Sequence, residues 1–278
     1  MTTPKLRILA LGWGVQSWTL AAMAAEGEFE RPDIIIHSDT TWERSDTYAF
    51  AKEWTHYLQK RGLDVRTVRP TERTGRPVVV SATGNTYTHI PAFTVDPTTG
   101  ERGKLRRQCT DHWKIRPMDA ETERVMKERG IAPEPGAVEK WLGISLDEWH
   151  RAKKSPLPYA VHRYPLLELK MTRGDCILWL ERHGLPVPPK SACVFCPFHS
   201  REAWQELKRR GGQDWETALR VDKELNESSS AYIRYVHRDF IPLAQAVRIP
   251  EDDGMTQLDM FRPVEDEDTT CDSGYCFM

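Results

Sequence analysis

The sequence predicts an α/β protein: a parallel sheet flanked by helices, then a largely helical C-terminal part and a cysteine-containing tail. Three observations carry this expectation. Strand-sized and helix-sized patterns alternate as β-α-β-α-β between Leu6 and Arg69, the order of a parallel sheet covered by helices. Gly12 and Gly14 fall between the first strand and the first helix. Three of the six cysteines stand in marked settings, Gln108-Cys109-Thr110 and Cys193-Val194-Phe195-Cys196-Pro197.

Leu6 to Leu11 reads as a mostly buried strand, and Ser17 to Glu26 as the helix after it. Asp33 to His37 is a second buried strand, followed by Thr40-Thr41-Trp42-Glu43 and a helix to about Arg61. Asp64 to Arg69 is the third strand. Residues 71–104 are rich in Thr, Gly and Pro without a sustained period, which reads as a long loop over a site. Trp113 to Gly130 is helical, Val138 to Ile144 returns to a strand, and Leu146 to Lys153 is a short helix with Ser145 as N-cap. Thr172 to His183 is an amphipathic helix stopped by Gly184. Phe198 to Val247 is largely helical, with breaks near Gly211-Gly212 and Ser228 to Ser230. The expected parts are 1–190 for the α/β domain, 191–250 for the Cys-x-x-Cys and helical extension, and 251–278 for an acidic tail.

Composition limits the function classes. The chain of 278 residues is 39% hydrophobic and 29% charged, large enough to bury a core. Its apolar runs Ile8 to Leu11 and Ile34 to Ile36 are too short to cross a bilayer, and no membrane partner is expected. Met1-Thr2-Thr3-Pro4-Lys5 enters a strand-like run without a signal-peptide apolar region, so a cytoplasmic location is expected. There, clustered cysteines more often mean metal or redox chemistry than disulfides. The net charge of −2 is unevenly spread. Arg102, Lys104, Arg106, Arg107, Lys114 and Arg116 surround Cys109, Arg201 and Lys208 to Arg210 follow Cys196, and acids collect from Glu251 to Asp268. Positive charge beside both cysteine groups suits a nucleotide or nucleic acid. A solvated helix face explains Lys208 to Arg210 equally well.

Four segments carry candidate chemistry. In Leu11-Gly12-Trp13-Gly14-Val15-Gln16-Ser17, glycines admit a ligand close to the backbone, and N–H groups at a helix start bind phosphate oxygens. Ser17 adds a hydroxyl. This is neither a Walker A loop nor a complete Gly-x-Gly-x-x-Gly, and a plain tight turn fits the two glycines as well. His37-Ser38-Asp39-Thr40 leaves the carboxyl end of the second strand, where ligands of open α/β sheets bind; Asp39 also suits a helix cap. Cys109 lies in Arg107-Gln108-Cys109-Thr110-Asp111-His112-Trp113-Lys114-Ile115-Arg116-Pro117, where flanking cations favour a lowered thiol pKa; a lone buried cysteine is the alternative. The fourth segment, Gly143-Ile144-Ser145-Leu146-Asp147-Glu148-Trp149-His150-Arg151, also reads as an ordinary strand-to-helix turn with a charged face.

Together these segments resemble the phosphoadenosine phosphosulfate (PAPS) reductase-like family of the PP-loop adenine-nucleotide α-hydrolase superfamily, whose fold is a Rossmann-like parallel sheet. Gly12 to Ser17 is similar to the PP-loop, in its Gly-x-Gly-Val-Gln-Ser form, with Trp13 in place of a glycine. Asp39-Thr40-Thr41 resembles an Asp-Thr-Gly segment, Cys109 to Pro117 a Cys-Thr-x-x-x-Lys-Ile-x-Pro segment, and Gly143 to Arg151 a Gly-x-Arg-x-x-Glu segment with Ser145 for the first arginine. The resemblance extends through Tyr164-Pro165-Leu166 and His183-Gly184-Leu185-Pro186 to the Cys-x-x-Cys-Pro pattern. It implies ATP or a related adenine nucleotide with Mg2+, contacted by Gly12, Gly14, Val15, Gln16, Ser17, His37, Asp39, Thr40, Gly143 and Glu148. Lys114 and Arg151 join Ser17 in neutralising phosphate charge.

Cys109, Cys193 and Cys196 supply three soft ligands. A structural zinc takes four, and an iron–sulfur cubane usually takes four cysteines. The resemblance favours a 4Fe–4S cluster with one open iron; zinc, completed by His112 or His199, is the alternative, and unliganded core cysteines are a third. Cys176 lies in an amphipathic helix and is expected to be packed. Cys271 and Cys276 in the tail are candidates for a nucleophile, a resolving pair, a fourth cluster ligand or a second small metal site. Three functions follow. The preferred one is adenylation and sulfur transfer onto a nucleic-acid or nucleotide acceptor, with a separate sulfur donor. The second is a sulfonucleotide reductase that uses Cys271 or Cys276 and a thioredoxin-like reductant. The third is a nucleotide- or nucleic-acid-binding module with structural zinc.

Overall fold

A computed structural model describes residues 3–71, 90–227 and 231–249. In chain order these form β1 (Leu6–Ala10), α1 (Val15–Glu26), β2 (Ile34–Ser38), α2 (Ser45–Lys60), β3 (Val65–Val68), β4 (Phe93–Val95) and β5 (Arg102–Lys104). A π-helical turn, Asp111–Ile115, leads into α3 (Arg116–Glu128) and β6 (Val138–Trp141). A 3-10 helix, Leu146–Arg151, then precedes β7 (Ala160–Arg163), α4 (Pro165–Glu168) and α5 (Arg173–Arg182). The chain continues through α6 (Arg201–Arg210), α7 (Gly212–Glu227), β8 (Ile233–Tyr235) and α8 (Leu243–Ala246). The described residues fall into two compact units, 3–71 with 110–191 and 90–109 with 192–249. Residues 90–109, which the sequence places with the nucleotide-binding part, group with the cysteine-bearing extension.

The first unit is a five-stranded sheet in the order β3-β2-β1-β6-β7, parallel throughout. This is the expected Rossmann-like α/β architecture. Its strands β1 and β2 are mostly apolar because both faces are covered. Side-chain alternation sorts them. Leu6, Ile8, Ala10, Ile34 and Ile36 pack with Met118, Val125 and Met126 of α3. Leu9 and Ile35 face the opposite way, toward Trp18 and Leu20 of α1, Leu58 of α2, Leu166 of α4 and Leu180 of α5.

Helix α1 is the inner helix of that second layer. Every residue from Val15 to Ala24 is buried, so its face carries no polar stripe and Ala21, Ala22 and Ala24 allow close packing. An aromatic group consisting of Trp13, Trp18, Phe50, Trp54 and Tyr57 covers it, with Trp18 5.2 Å from Trp54 and 5.6 Å from Phe50 between ring centroids. Such pairs add roughly 0.5–1.5 kcal/mol each beyond the area they bury.

Helix α5 begins as expected, with a capping box in which Thr172 and Asp175 exchange side-chain and backbone hydrogen bonds. Gly184 follows it at φ 63°. Cys176 is fully buried in α5, and burial pushes its thiol up to about 12, consistent with a packing role.

Three readings need correction, and one strand was not read from the sequence. The stretch 71–104 is not unbroken loop: Phe93–Val95 and Arg102–Lys104 form an antiparallel pair, extended by β8 into a three-stranded sheet in the second unit; residues 72–89 lie outside the described residues. The expected helix from Trp113 starts earlier, as the π-helical turn. The segment after Ser145 is a 3-10 helix, and Ser145 makes no side-chain cap bond. Strand β7 carries no apolar run, since Val161, His162 and Arg163 are all at least partly exposed, so its alternation is weak.

Candidate functional site

In the sheet order, β1 stands between β2 and β6. Chain direction across the sheet reverses there, and the crevice at the carboxyl ends of such strands is the usual ligand position. The loops after β1, β2 and β6 meet at this edge of the first unit.

The first loop runs from Leu11 into α1. Trp13 takes φ 57°, the left-handed region that costs a non-glycine residue about 1–2 kcal/mol. Burial of its indole (1% exposed) against Trp18, His37 and Phe50 offsets that strain. Thus a tryptophan occupies a glycine-like backbone position here. Ser17 Oγ accepts the Gly12 N–H at 3.2 Å and is 3.3 Å from the Gly14 carbonyl, to which it donates.

Gly14 is the N-cap of α1, with φ −85° and ψ 165°, backbone that any residue adopts. A Cβ built on it meets nothing within 4 Å. Neither backbone conformation nor packing therefore calls for glycine at this position. No side chain caps α1, and no acid lies in its first turn. The first intrahelical bond runs from Trp18 N–H to Gly14 O, so the N–H groups of Val15, Gln16 and Ser17 lack helical acceptors. A helix start with open space before it and no carboxylate upon it is suited to an anion.

The loop after β6 packs directly onto that helix start. A Cβ on Gly143 would lie 2.8 Å from the Ser17 nitrogen and 3.0 Å from its Cα, so glycine is required for close approach. Gln16 Nε2 donates to Glu148 Oε1 at 3.2 Å and to Ser145 Oγ at 3.4 Å. Arg151 Nη1 lies 2.7 Å from Glu148 Oε2, and Arg173 Nη1 donates to Gln16 Oε1 at 3.3 Å. Gln16, Ser145 and Glu148 are all buried. Gly143, Glu148 and Arg151 are thereby brought to the first loop.

The loop after β2 is organised by Asp39. Its Oδ1 accepts the Thr41 N–H and the Tyr48 hydroxyl, both at 2.8 Å, and its Oδ2 accepts Arg69 Nε at 2.8 Å. Burial alone raises the Asp39 carboxyl, but these three bonds outweigh it and hold the group below the ordinary carboxylate range. Asp39 is not the cap of α2, whose N-cap is Arg44. Thr41, where the resemblance expects glycine, takes φ 66°. The His37 ring is buried and donates from Nδ1 to Leu11 O at 3.0 Å; burial lowers its pKa.

Beneath these loops lies a buried ion pair that the sequence reading did not assemble. Lys114 Nζ donates to Glu43 Oε1 at 3.2 Å, and both residues are about 5% exposed. Thr40 Oγ1 donates to the same carboxylate at 3.3 Å. Ser191 Oγ lies 2.9 Å from Gly12 O and 3.3 Å from Glu43 Oε2. Lys114 thus holds the strand-end loops together from inside. Removing one member of a buried pair costs about 3–5 kcal/mol. Glu43 had a sequence signal in its nearness to Asp39-Thr40; Ser191, Tyr48, Arg69 and Arg173 had none.

In the second unit, Cys193 and Cys196 share one turn, with Cys196 N–H donating to Cys193 O at 3.0 Å. His199 Nε2 donates to the same carbonyl at 3.0 Å. Lys104 and Arg107, from the segment leading to Cys109, lie 4.2 and 5.7 Å from the centre of the Phe198 ring. Two soft thiols in one turn match the chemistry of zinc or an iron–sulfur cluster. Among the described residues, however, no group of three or more His, Cys, Asp or Glu side chains is arranged to hold a metal ion. Cys271 and Cys276 lie outside the described residues.

No protein-family model matches the chain, and no curated protein does. Among solved structures it is similar to phosphoadenylyl-sulfate (PAPS) reductase from Candida auris in a phosphate complex. The two share 12% identity over 67% of this chain and 76% of that one, with a TM-score of 0.37. A likeness of this size carries no functional argument. Among the described residues, no helix is long and apolar enough to cross a membrane.

The contact at residue 143 generates a prediction. Gly143→Ala should destabilise the protein by about 1–3 kcal/mol, the usual range for overpacking, measured by denaturant unfolding. An unchanged midpoint would mean that the β6 loop can withdraw from α1.

Proposed function

We propose that the carboxyl edge of this sheet binds the phosphates of an adenine nucleotide, with Mg2+, and that the protein is an enzyme of adenylyl and sulfur transfer. The observation that carries the reading is the α1 start: uncapped N–H groups, no acid in the first turn and a glycine at 14 that packing does not require. The PP-loop resemblance of Gly12 to Ser17 supports adenine over other nucleotides.

In the proposed reaction, an oxygen of the acceptor attacks the α-phosphorus of ATP and the bond to the bridging oxygen breaks, releasing pyrophosphate. A sulfide-class donor (HS⁻) then attacks the acceptor carbon, forming the C–S bond as AMP departs with the original oxygen. The α1 N–H groups and Gly14 bind phosphate oxygens, and the Ser17 hydroxyl turns from Gly14 O toward them. Arg151 and Arg173, joined through Glu148 and Gln16, add positive charge at the same edge. Preorganised donors of this kind stabilise charge that develops in the transition state. Lys114 contributes by holding the loops, through Glu43. No step is routed through a metal cluster.

A nucleic-acid acceptor is supported by the outer face of the 3-10 helix. Glu148 and Arg151 turn inward, whereas Trp149 is 66% and Leu146 41% exposed. His150, Lys153 and Lys154 flank them. An exposed indole beside cations is a stacking platform for an unpaired base.

Three outcomes test this reading. Gly14→Ala should keep the fold, within about 1 kcal/mol for an N-cap change, yet weaken ATP binding severalfold in calorimetric titration; pyrophosphate release that survives Ser17→Ala would count strongly against adenylyl transfer. Trp149→Ala should weaken binding of a labelled single-stranded oligonucleotide by about tenfold, the scale of one stacked base, while ATP affinity stays unchanged. Anaerobic purification with iron, sulfide and zinc analysis of wild type and Cys109→Ala tests the cysteines. Iron and sulfide lost on substitution would support a cluster, and zinc without iron would remove it.

A further inference from the structure

A cavity of about 340 Å³ lies within the second unit, and none of the candidate residues discussed above lines it. We propose that it is a second ligand site, for a small organic anion: a phosphate or carboxylate head carried on an apolar body. Its volume is at the small end of the range for ligand pockets, roughly 300–1,000 Å³.

The anionic head is argued from Arg201, Arg248 and His237, which all line the cavity. No hydrogen bond or ion pair engages either guanidinium within the chain's described residues. Arg201 stands in the first turn of α6, the end of a helix dipole where a cation is disfavoured. Two arginines therefore border one space, with Asp239 as the single carboxylate among the described lining residues. Glu202 shares the α6 turn but is not part of the lining.

His237 supplies a buried donor. Its side chain is 9% exposed. Nδ1 accepts the Asp239 N–H at 3.2 Å, so that nitrogen carries no proton in the neutral ring and Nε2 carries it instead. Burial, with Arg201 and Arg238 nearby, lowers the His237 pKa against the opposing pull of Asp239. The neutral Nε2–H form thus prevails in the free protein.

The apolar body is argued from Trp204, Ile241, Ala246 and Val247 on the same walls. The wall that carries His237 and Ile241 is held in place from below. Asp222 of α7 accepts the Val236 N–H at 3.0 Å and the Leu243 N–H at 2.7 Å, which pins both ends of the segment between them. The cavity is consequently built by the fold's buried hydrogen bonds and is not a gap between loose side chains.

The test uses the full chain carrying Gly14→Val, which suppresses anion binding at the first unit's loop. Phenyl phosphate, benzoate and inorganic phosphate are titrated by calorimetry, and the His237 ring resonances are followed by NMR. Saturable binding of phenyl phosphate or benzoate is expected, tighter than that of inorganic phosphate, with His237 shifting along the same isotherm. The better of the two probes tells which head the site prefers. Arg201→Gln with Arg248→Gln, at two exposed positions where the fold is retained, should weaken that binding at least tenfold, as expected when charge-assisted hydrogen bonds are lost. The proposal is overturned by absence of saturable binding, by affinity unchanged in the double variant, or by binding that leaves His237 unmoved. Binding seen in wild type but lost in the Gly14→Val background assigns the anion to the first loop and also overturns it.

Discussion

The approach of the β6 loop to the first turn of α1 is the contact on which the rest of the candidate site depends. With hydrogen as its side chain, Gly143 lets that loop lie against the Ser17 backbone, where a Cβ would collide at 2.8 Å. Only at that distance can Gln16 reach both Ser145 and Glu148, so that Arg151 joins it through Glu148 while Arg173 donates to Gln16 directly. The same contact leaves the solvent side of Gly14 open. Two glycines 129 positions apart thus do opposite work: one closes the protein against itself, and the other leaves room beside the helix start.

Backbone strain is concentrated at the same edge. Trp13 and Thr41 both take left-handed conformations just past the ends of β1 and β2. Such strain persists only where surrounding contacts over-determine it, and it often marks functional sites. Trp13 is held by its aromatic packing and Thr41 by the Asp39 carboxylate that receives its N–H. A buried ion pair, Glu43 with Lys114, lies beneath both loops and ties β2's loop to the π-helical turn before α3. Glu43, Lys114, Thr40 and Ser191 satisfy one another there, whereas the buried Trp13 indole N–H has no acceptor among the described residues.

Much of the first unit was legible in the chain. Ile34 to Ile36 and Leu6 to Ala10 are strand-length and apolar on both faces, and the helices between them have clear starts and stops, so β1 to β3 and their helices were read to within a few residues. Strands β4, β5 and β8 were not, because three residues such as Arg102-Gly103-Lys104, all exposed, carry no hydrophobic alternation. Ser145 was read as a cap because its local pattern fits one. In the fold its hydroxyl accepts from Gln16, a residue 129 positions away, and no local signal announces such a partner.

By itself, the sequence determined the order of β1 to β3 with α1 and α2, and the placement of Gly12 to Ser17 at a strand-to-helix turn. These are properties of short segments, set by periodicity, caps and turn residues. Tertiary structure alone decided that Lys114 is the buried partner of Glu43, that Arg173 joins Gln16, and that Arg201, His237 and Arg248 border one cavity. Each of those facts is a distance between residues remote in the chain, and such distances exist only once the sheet and helices have packed.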